Sequence, residues 1–307
     1  MSFTSLQELA ERAEQKKRAL WEVIAEDERR EEAVPLEEIV QRMQAMYQTM
    51  KEADGSYDAQ LRSASGLAGG DGEKLARFRK QATALAGAYL SEVMEKAVKM
   101  AESNACMKRV VAAPTAGSCG VLPAVLLTYE AQREASERRM VEALFVAAGI
   151  GAIIAERASI SGAEGGCQAE IGAASAMAAG ALAYLEGGDC AAVFHAAALA
   201  LKNLLGLTCD PVAGLVEVPC IKRNASGAVN AVLAAQMALA GVRSAIPPDE
   251  VIDSMRRIGK LLPACLRETS EEGLAAAATA QRISALLRKE DESRYESDRR
   301  AWNDHSQ

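Results

Sequence analysis

Aromatic side chains are scarce in this chain, at 4% of 307 residues. Platforms on which bases could stack are therefore few. Excess positive charge is lacking too: 42 acidic side chains outweigh 35 basic ones, for a formal charge of -7. Both features argue against nucleic acid as a partner. Long apolar runs are missing, since the longest uncharged helix-like stretch, Ile171 to Leu185, is too short to span a bilayer. The opening residues, MSFTSLQELAERAEQKKRALW, carry charges throughout and have the pattern of neither a signal nor a transit peptide, so a cytoplasmic protein is expected. Period-two alternation is confined to two short candidates for extended chain, Arg109 to Ala112 and Leu215 to Val218. No internal repeat or low-complexity tract stands out. The seven cysteines contain no C-x-x-C pair. An odd number without an export signal reads as thiols or metal ligands, not as a disulfide framework.

What the chain does have is helical periodicity. Up to residue 53, Leu6, Leu9, Ala13, Leu20, Val23 and Ile24 fall at spacings of three and four, and Pro35 opens a further helix with Leu36, Ile39, Val40 and Met43 on one face. These amphipathic helices are expected to pack on a larger body. Glycines between Asp54 and Gly72 mark a loop and a boundary. The stretch 54–288 is then expected to be a mainly α, multi-helix domain built on small residues. Between Val141 and Ala200 there are 21 alanines in 60 positions. Helices of that composition are apolar on most faces and approach one another closely, which suits the inside of a bundle. Residues 289–307 read as a polar tail.

Three segments interrupt this pattern with Gly, Pro, Ser and Asn. In Ala113 to Gly120, APTAGSCG, a Gly/Ser loop feeds a helix start, where unpaired N–H groups suit a carboxylate or phosphate; an ordinary capped helix is the alternative. In Ser159 to Glu170, SISGAEGGCQAE, the glycines Gly162, Gly165 and Gly166 place Cys167 at the mouth of a loop before a helix, where the helix field favours thiolate over thiol. In Leu207 to Asn224, LTCDPVAGLVEVPCIKRN, the prolines Pro211 and Pro219 keep Cys209 and Cys220 out of helix interiors. The loop setting leaves two readings of Cys167, Cys209 and Cys220 open. Either each is a small buried hydrophobe or the three form a metal site; three thiolates without close pairs suit an iron-sulfur cluster with one iron open better than a structural zinc. Cys106, Cys190 and Cys265, with helical neighbours, read as buried hydrophobes, and His195 in AAVFHAAALALKNLL as a packed core histidine. His305 lies in the tail and is assigned no role.

SISGAEGGCQAEIGAAS, LKNLLGLTCDPVAGLVEVPCIKRNA and APTAGSCGVLPAV together resemble the alpha, catalytic subunit of the iron-sulfur-dependent L-serine dehydratases. The similarity runs from about Gly66 to Leu274, and the length suits the two-subunit form. The resemblance implies that Cys167, Cys209 and Cys220 ligate a 4Fe-4S cluster whose fourth iron, a Lewis acid for the substrate hydroxyl, helps convert L-serine to pyruvate and ammonia. It implies a beta regulatory subunit, with a homo-oligomer as the other use of the N-terminal helices, and loss of activity in air. Single-chain relatives can cap the resting cluster with a C-terminal cysteine; this chain ends in NDHSQ, which leaves the cap open. Thr115, Gly117 and Ser118, faced by Ser161 and Gly162, are the candidates for holding the carboxylate. Lys222, Arg223 and Asn224 are candidates for holding substrate or tuning cluster charge, with solvated cations as the plain alternative. The base is not identifiable; Glu164 and Glu170 are its nearest candidates in sequence. Pyridoxal phosphate is not expected, because neither the strands of its usual α/β fold nor a convincing lysine context is present. A cluster-dependent L-cysteine desulfidase and a non-catalytic metal-binding partner subunit stand as the other readings.

Overall fold

The computed structural model describes residues 1–81 and 84–304. Among them the chain is mainly α, as its periodicity predicts. Its helices are α1 (Leu6–Lys16), α2 (Leu20–Glu32), α3 (Leu36–Gly55), α4 (Asp71–Arg79), α5 (Gly87–Ala105), α6 (Val121–Arg133), α7 (Glu137–Arg157), the single turn α8 (Gly162–Gly165), α9 (Ala173–Leu185), α10 (Cys190–Lys202), α11 (Cys220–Leu239), α12 (Pro248–Leu261) and α13 (Ala278–Asp304). Among the described residues no helix is long and apolar enough to cross a membrane. The two candidate extended pieces are not strands: Val216 to Val218 lies in turns after an irregular Leu215, Arg109 to Ala112 is irregular, and the one bridge among the described residues pairs Cys209 with Arg267. Short apolar alternation without a partner edge is not enough to build a ladder.

The alanine-rich helix is the axis of the bundle. Helix α9 is buried along nearly its whole length and packs against α6, α7, α10 and α11. With so little side chain to separate the backbones, these helices approach closely and leave few voids. The same economy governs the crossing of α5 and α6. A Cβ added at Gly120 would lie 2.3 Å from the backbone carbonyl of Ala97 and 3.0 Å from Asn224 Oδ1. Backbone cannot swing aside as a side-chain tip can. Gly120→Ala is therefore expected to destabilise by about 1–3 kcal/mol, as overpacking does, read as a lower midpoint in thermal unfolding; an unchanged midpoint would show that the crossing is loose.

The N-terminal helices pack on this body, α2 and α3 lying across α7. The side-chain amides of Gln44 and Gln48 donate to Glu137 at 2.5 and 2.6 Å, and the N–H groups of Leu6 and Gln7 donate to Asp249 on α12. The glycine-rich connection after α3 is pinned at both ends. Glu102, 1% exposed on α5, accepts from the N–H groups of Asp71 and Gly72 and from the Tyr57 hydroxyl. Ser63 and Ser65 both donate to the buried carboxylate of Glu217, in the turn that leads to Cys220. The polar segment after Arg288 continues α13 as backbone helix to Asp304, and His305 lies outside the described residues.

Candidate functional site

The three interruptions of the helical pattern meet beside α9 and α11. The first forms a tight turn, Ala116–Ser118, whose preceding residue Thr115 donates its hydroxyl to Glu170 Oε1 at 2.8 Å. Ser118 is fully buried and its hydroxyl stands 3.1 Å from that of Thr115, so it braces the turn from behind. The second interruption runs through α8 into Cys167. It does not pass directly into an α-helix, as its pattern suggests, but makes a π turn, Gln168–Gly172, before α9 begins. A π turn widens the helix by one residue and re-aims the side chains it carries. Here it carries Glu170. The third interruption brings in Cys209 and ends at Cys220, the first residue of α11.

Glu170 stands where the three meet. Its Oε1 holds Thr115, and its Oε2 lies 3.9 Å from Cys209 Sγ. A Cβ at Gly117 would come 3.1 Å from Oε1, and one at Gly162 would come 2.9 Å from Oε2 and 3.0 Å from Cys209 Sγ. A side chain at either position would crowd the Glu170 carboxylate, so glycine there leaves the space beside it open. Ser161 precedes Gly162 as the cap of α8. Burial pushes the Glu170 carboxyl above the usual range, partly offset by the Thr115 hydroxyl.

Cys167, Cys209 and Cys220 are 2%, 3% and 8% exposed. Burial pushes the Cys167 thiol up to about 11 and that of Cys220 to about 12, and it raises Cys209 as well. The expectation that the helix field would make Cys167 a thiolate is thereby corrected: removal from water outweighs it, although the neighbouring Arg223 pulls the other way. The charge of Cys167 also opposes ionisation of both other thiols, so the three sulfurs feel one another. Thiols this costly to ionise become thiolates beside a bound metal, which deprotonates them outright. Among the described residues no three His, Cys, Asp or Glu side chains are grouped tightly enough for a single ion. A cluster interposes iron and sulfide between its thiolates and so asks for wider spacing than one ion does.

Several sequence candidates take other places. Asn224 is fully buried, and its amide is spent on backbone: Oδ1 accepts from Gly120 N–H at 2.8 Å, while Nδ2 donates to the carbonyls of Gly117 at 2.8 Å and Cys220 at 2.9 Å. It fixes the first loop against the third cysteine and has no donor left for a ligand. Lys222 is exposed and ion-paired to Asp71 at 2.7 Å, the solvated alternative. Glu164 is exposed and takes a hydrogen bond from Ser159 at 2.7 Å, which removes it from the Glu170 cluster. Arg223 stays with the thiols, held by the Thr208 carbonyl and Asp210, each at 2.8 Å. Cys106, Cys190 and Cys265 are half-buried, not buried: Cys106 follows α5, Cys190 opens α10, and Cys265 lies in the short turn Ala264–Leu266. His195 is likewise half-buried, with Nδ1 accepting from Ser244 N–H at 3.1 Å. Cys119, inside the first loop motif, faces away from the other thiols and packs with Met100 and Ala53.

Sequence reasoning missed three further contributors. Gln168 is fully buried; its Nε2 donates to the carbonyls of Gly165 and Met255, and its Oε1 accepts from Gly206 N–H, which ties the second interruption to the third. A lone amide beside Cys167 in an apolar helix was the available signal. Asp210, 4% exposed, accepts from Arg223 and from Leu274 N–H. The segment Leu266 to Glu268 clasps Cys209 by main chain, the Cys209 N–H donating to the Leu266 carbonyl at 2.9 Å and the Glu268 N–H to the Cys209 carbonyl at 2.7 Å. No local pattern announces a pairing over such a sequence distance.

Known proteins resemble this chain over most of its length. A family model described as serine dehydratase alpha chain matches residues 15–275. The chain is 44% identical over 285 residues to a probable L-serine dehydratase alpha chain of Bacillus subtilis (strain 168), covering 93% of this chain and 95% of that one. It is 38% identical to the L-serine dehydratase alpha chain of Peptoniphilus asaccharolyticus, covering 88% and 93%. Against L-serine dehydratase TdcG of Escherichia coli (strain K12) it is 51% identical over 183 residues, which is 58% of this chain and 40% of that longer one. By its extent of match and its identity to these relatives, the chain belongs to the serine dehydratase alpha chain family, whose members are lyases.

Proposed function

We propose that this chain is the catalytic alpha subunit of an iron-sulfur-dependent L-serine dehydratase, which converts L-serine to pyruvate and ammonia and works with a beta subunit. The observation that carries the reading is that the bare backbone of Gly162 faces both Cys209 Sγ and the Glu170 carboxylate, which Thr115 holds, while the buried Cys167 and Cys220 are electrostatically coupled to Cys209. Cys167, Cys209 and Cys220 are the residues that would hold a 4Fe-4S cluster. Bound there, the cluster supplies a Lewis-acidic iron free of protein sulfur, which makes the substrate hydroxyl a better leaving group.

The chain's own residues supply the rest. Thr115 and Gly117 on one side, and Ser161 and Gly162 on the other, border the space next to Glu170 and are assigned the substrate carboxylate. Ser118 supports Thr115 and takes no direct part. Glu170 is assigned the Cα proton, since it is the carboxylate beside that space while Glu164 is turned to Ser159. Arg223 offsets negative charge at Cys167. Once water is lost, the enamine tautomerises and hydrolyses without further help. No pyridoxal phosphate takes part in this scheme.

The test is anaerobic reconstitution of the chain with iron and sulfide, together with its partner subunit, followed by assays on two substrates. L-serine is expected to give pyruvate and ammonia in equal amounts. Sulfide from L-cysteine without turnover of serine would move the assignment to a desulfidase, and a coloured protein that turns over neither would make it a non-catalytic subunit.

A further inference from the structure

A cavity lined by both apolar and charged residues lies beside the Cys167 loop. It has a volume of about 280 Å³ and runs between α8 and α12, with Ser159, Glu164, Gly165, Arg256, Lys260 and Arg267 among its walls. Three cations thus gather around one small space in a chain of net charge -7. Their neutralisation by protein is incomplete. The Glu164 carboxylate is the one acid in the lining and already accepts from Ser159 at 2.7 Å. Arg256 reaches Asp253 only at 3.9 Å, and that carboxylate is taken up by Arg157 at 2.7 Å. Lys260 has no ion pair among the described residues.

Arg267 is the most telling of the three. Its Nε is buried and has no hydrogen-bond partner among the described residues, and its Nη1 reaches only the Glu164 carbonyl, at 3.4 Å. That Nε is shielded from the cavity and cannot itself take an oxyanion there, so the terminal nitrogens of Arg267, with one long hydrogen bond among the described residues, are its contribution to the lining. The planar guanidinium fork matches two oxygens of one oxyanion, and an ammonium adds a point charge beside it.

We propose that this cavity is a binding site for a small oxyanion, a phosphate or a carboxylate, held by Arg267, Arg256 and Lys260. The inference does not depend on the chemistry assigned to the thiols: Arg256 and Lys260 lie on α12, and Arg267 meets Cys209 by main chain only, its side chain turning to Glu164. The experiment is calorimetric titration of the full-length chain with inorganic phosphate and, separately, with acetate, at ionic strength held constant with chloride. Saturable one-site binding of at least one of them is expected, and the tighter of the two identifies the class of oxyanion. Lys260→Gln and Arg256→Gln, both at exposed positions, should each weaken it about tenfold, the loss of one charge-assisted contact. Arg267→Lys should weaken it as much by keeping the charge and losing the fork. Lys74→Gln, on a distant helix, should leave it unchanged. Absence of saturable heat with both anions, or equal affinity in the three cavity variants, would overturn the proposal.

Discussion

Cys167→Ala, Cys209→Ala and Cys220→Ala are each expected to lose both the visible absorbance of the reconstituted chain and its turnover of serine, while Cys119→Ala and Cys190→Ala keep both. The contrast rests on position, since Cys119 is as buried as the trio. It packs on Met100, whereas Cys209 lies 3.9 Å from Glu170 Oε2 and Cys167 and Cys220 both feel the Glu170 charge. Cys190 opens α10 and is half-buried. A buried thiol that serves only as a small hydrophobe costs little when shortened to alanine. One that grips an inorganic core takes with it the metal and whatever folding energy the metal supplies. Iron and acid-labile sulfide analysis beside each assay separates loss of metal from loss of chemistry. A cysteine of the trio whose removal leaves colour and rate intact would not be a ligand.

Glu170→Gln is expected to lower the turnover number by about a hundredfold or more, the usual share of a general base, with iron content and absorbance retained. The amide keeps the shape of the carboxylate and can still accept from the Thr115 hydroxyl, 2.8 Å away in the wild type. What it cannot do is take a proton. Glu164→Gln should leave turnover within about twofold, since surface substitutions have small effects. The comparison is internally controlled: both residues flank Cys167 in sequence, but only one is turned toward the thiols. Equal losses in the two variants, or loss of iron in Glu170→Gln, would remove Glu170 from the role of base.

The part of the molecule most legible in the sequence was the part built from local pattern. Alanine on every face of the stretch after Ala173 could only belong inside a bundle, and α9 is its axis. Prolines beside Cys209 and Cys220 kept both out of helix interiors, and Cys220 begins α11 at its first residue. Legibility ended where a side chain's partner is distant along the chain. Asn224 looked like a ligand-holding residue, and only the folded arrangement reveals that Gly117, Gly120 and Cys220 exhaust its amide. Lys222 and Arg223 are adjacent in sequence, yet a helix turns neighbours to different sides, one to Asp71 in solvent and the other to Asp210 and the thiols. The two glutamates could not be ranked because the π turn that swings Glu170 inward has no signature in residue type. The helix field at Cys167 was a sound local argument that burial overrode.

The central claim is that an iron free of protein sulfur receives the substrate hydroxyl at this site. Mössbauer spectroscopy of the anaerobically reconstituted chain, recorded before and after addition of L-serine, addresses it directly. The account predicts that one iron site of the cluster changes its isomer shift and quadrupole splitting while the others stay as they were. A spectrum indifferent to serine, in a protein that still forms pyruvate, would contradict it.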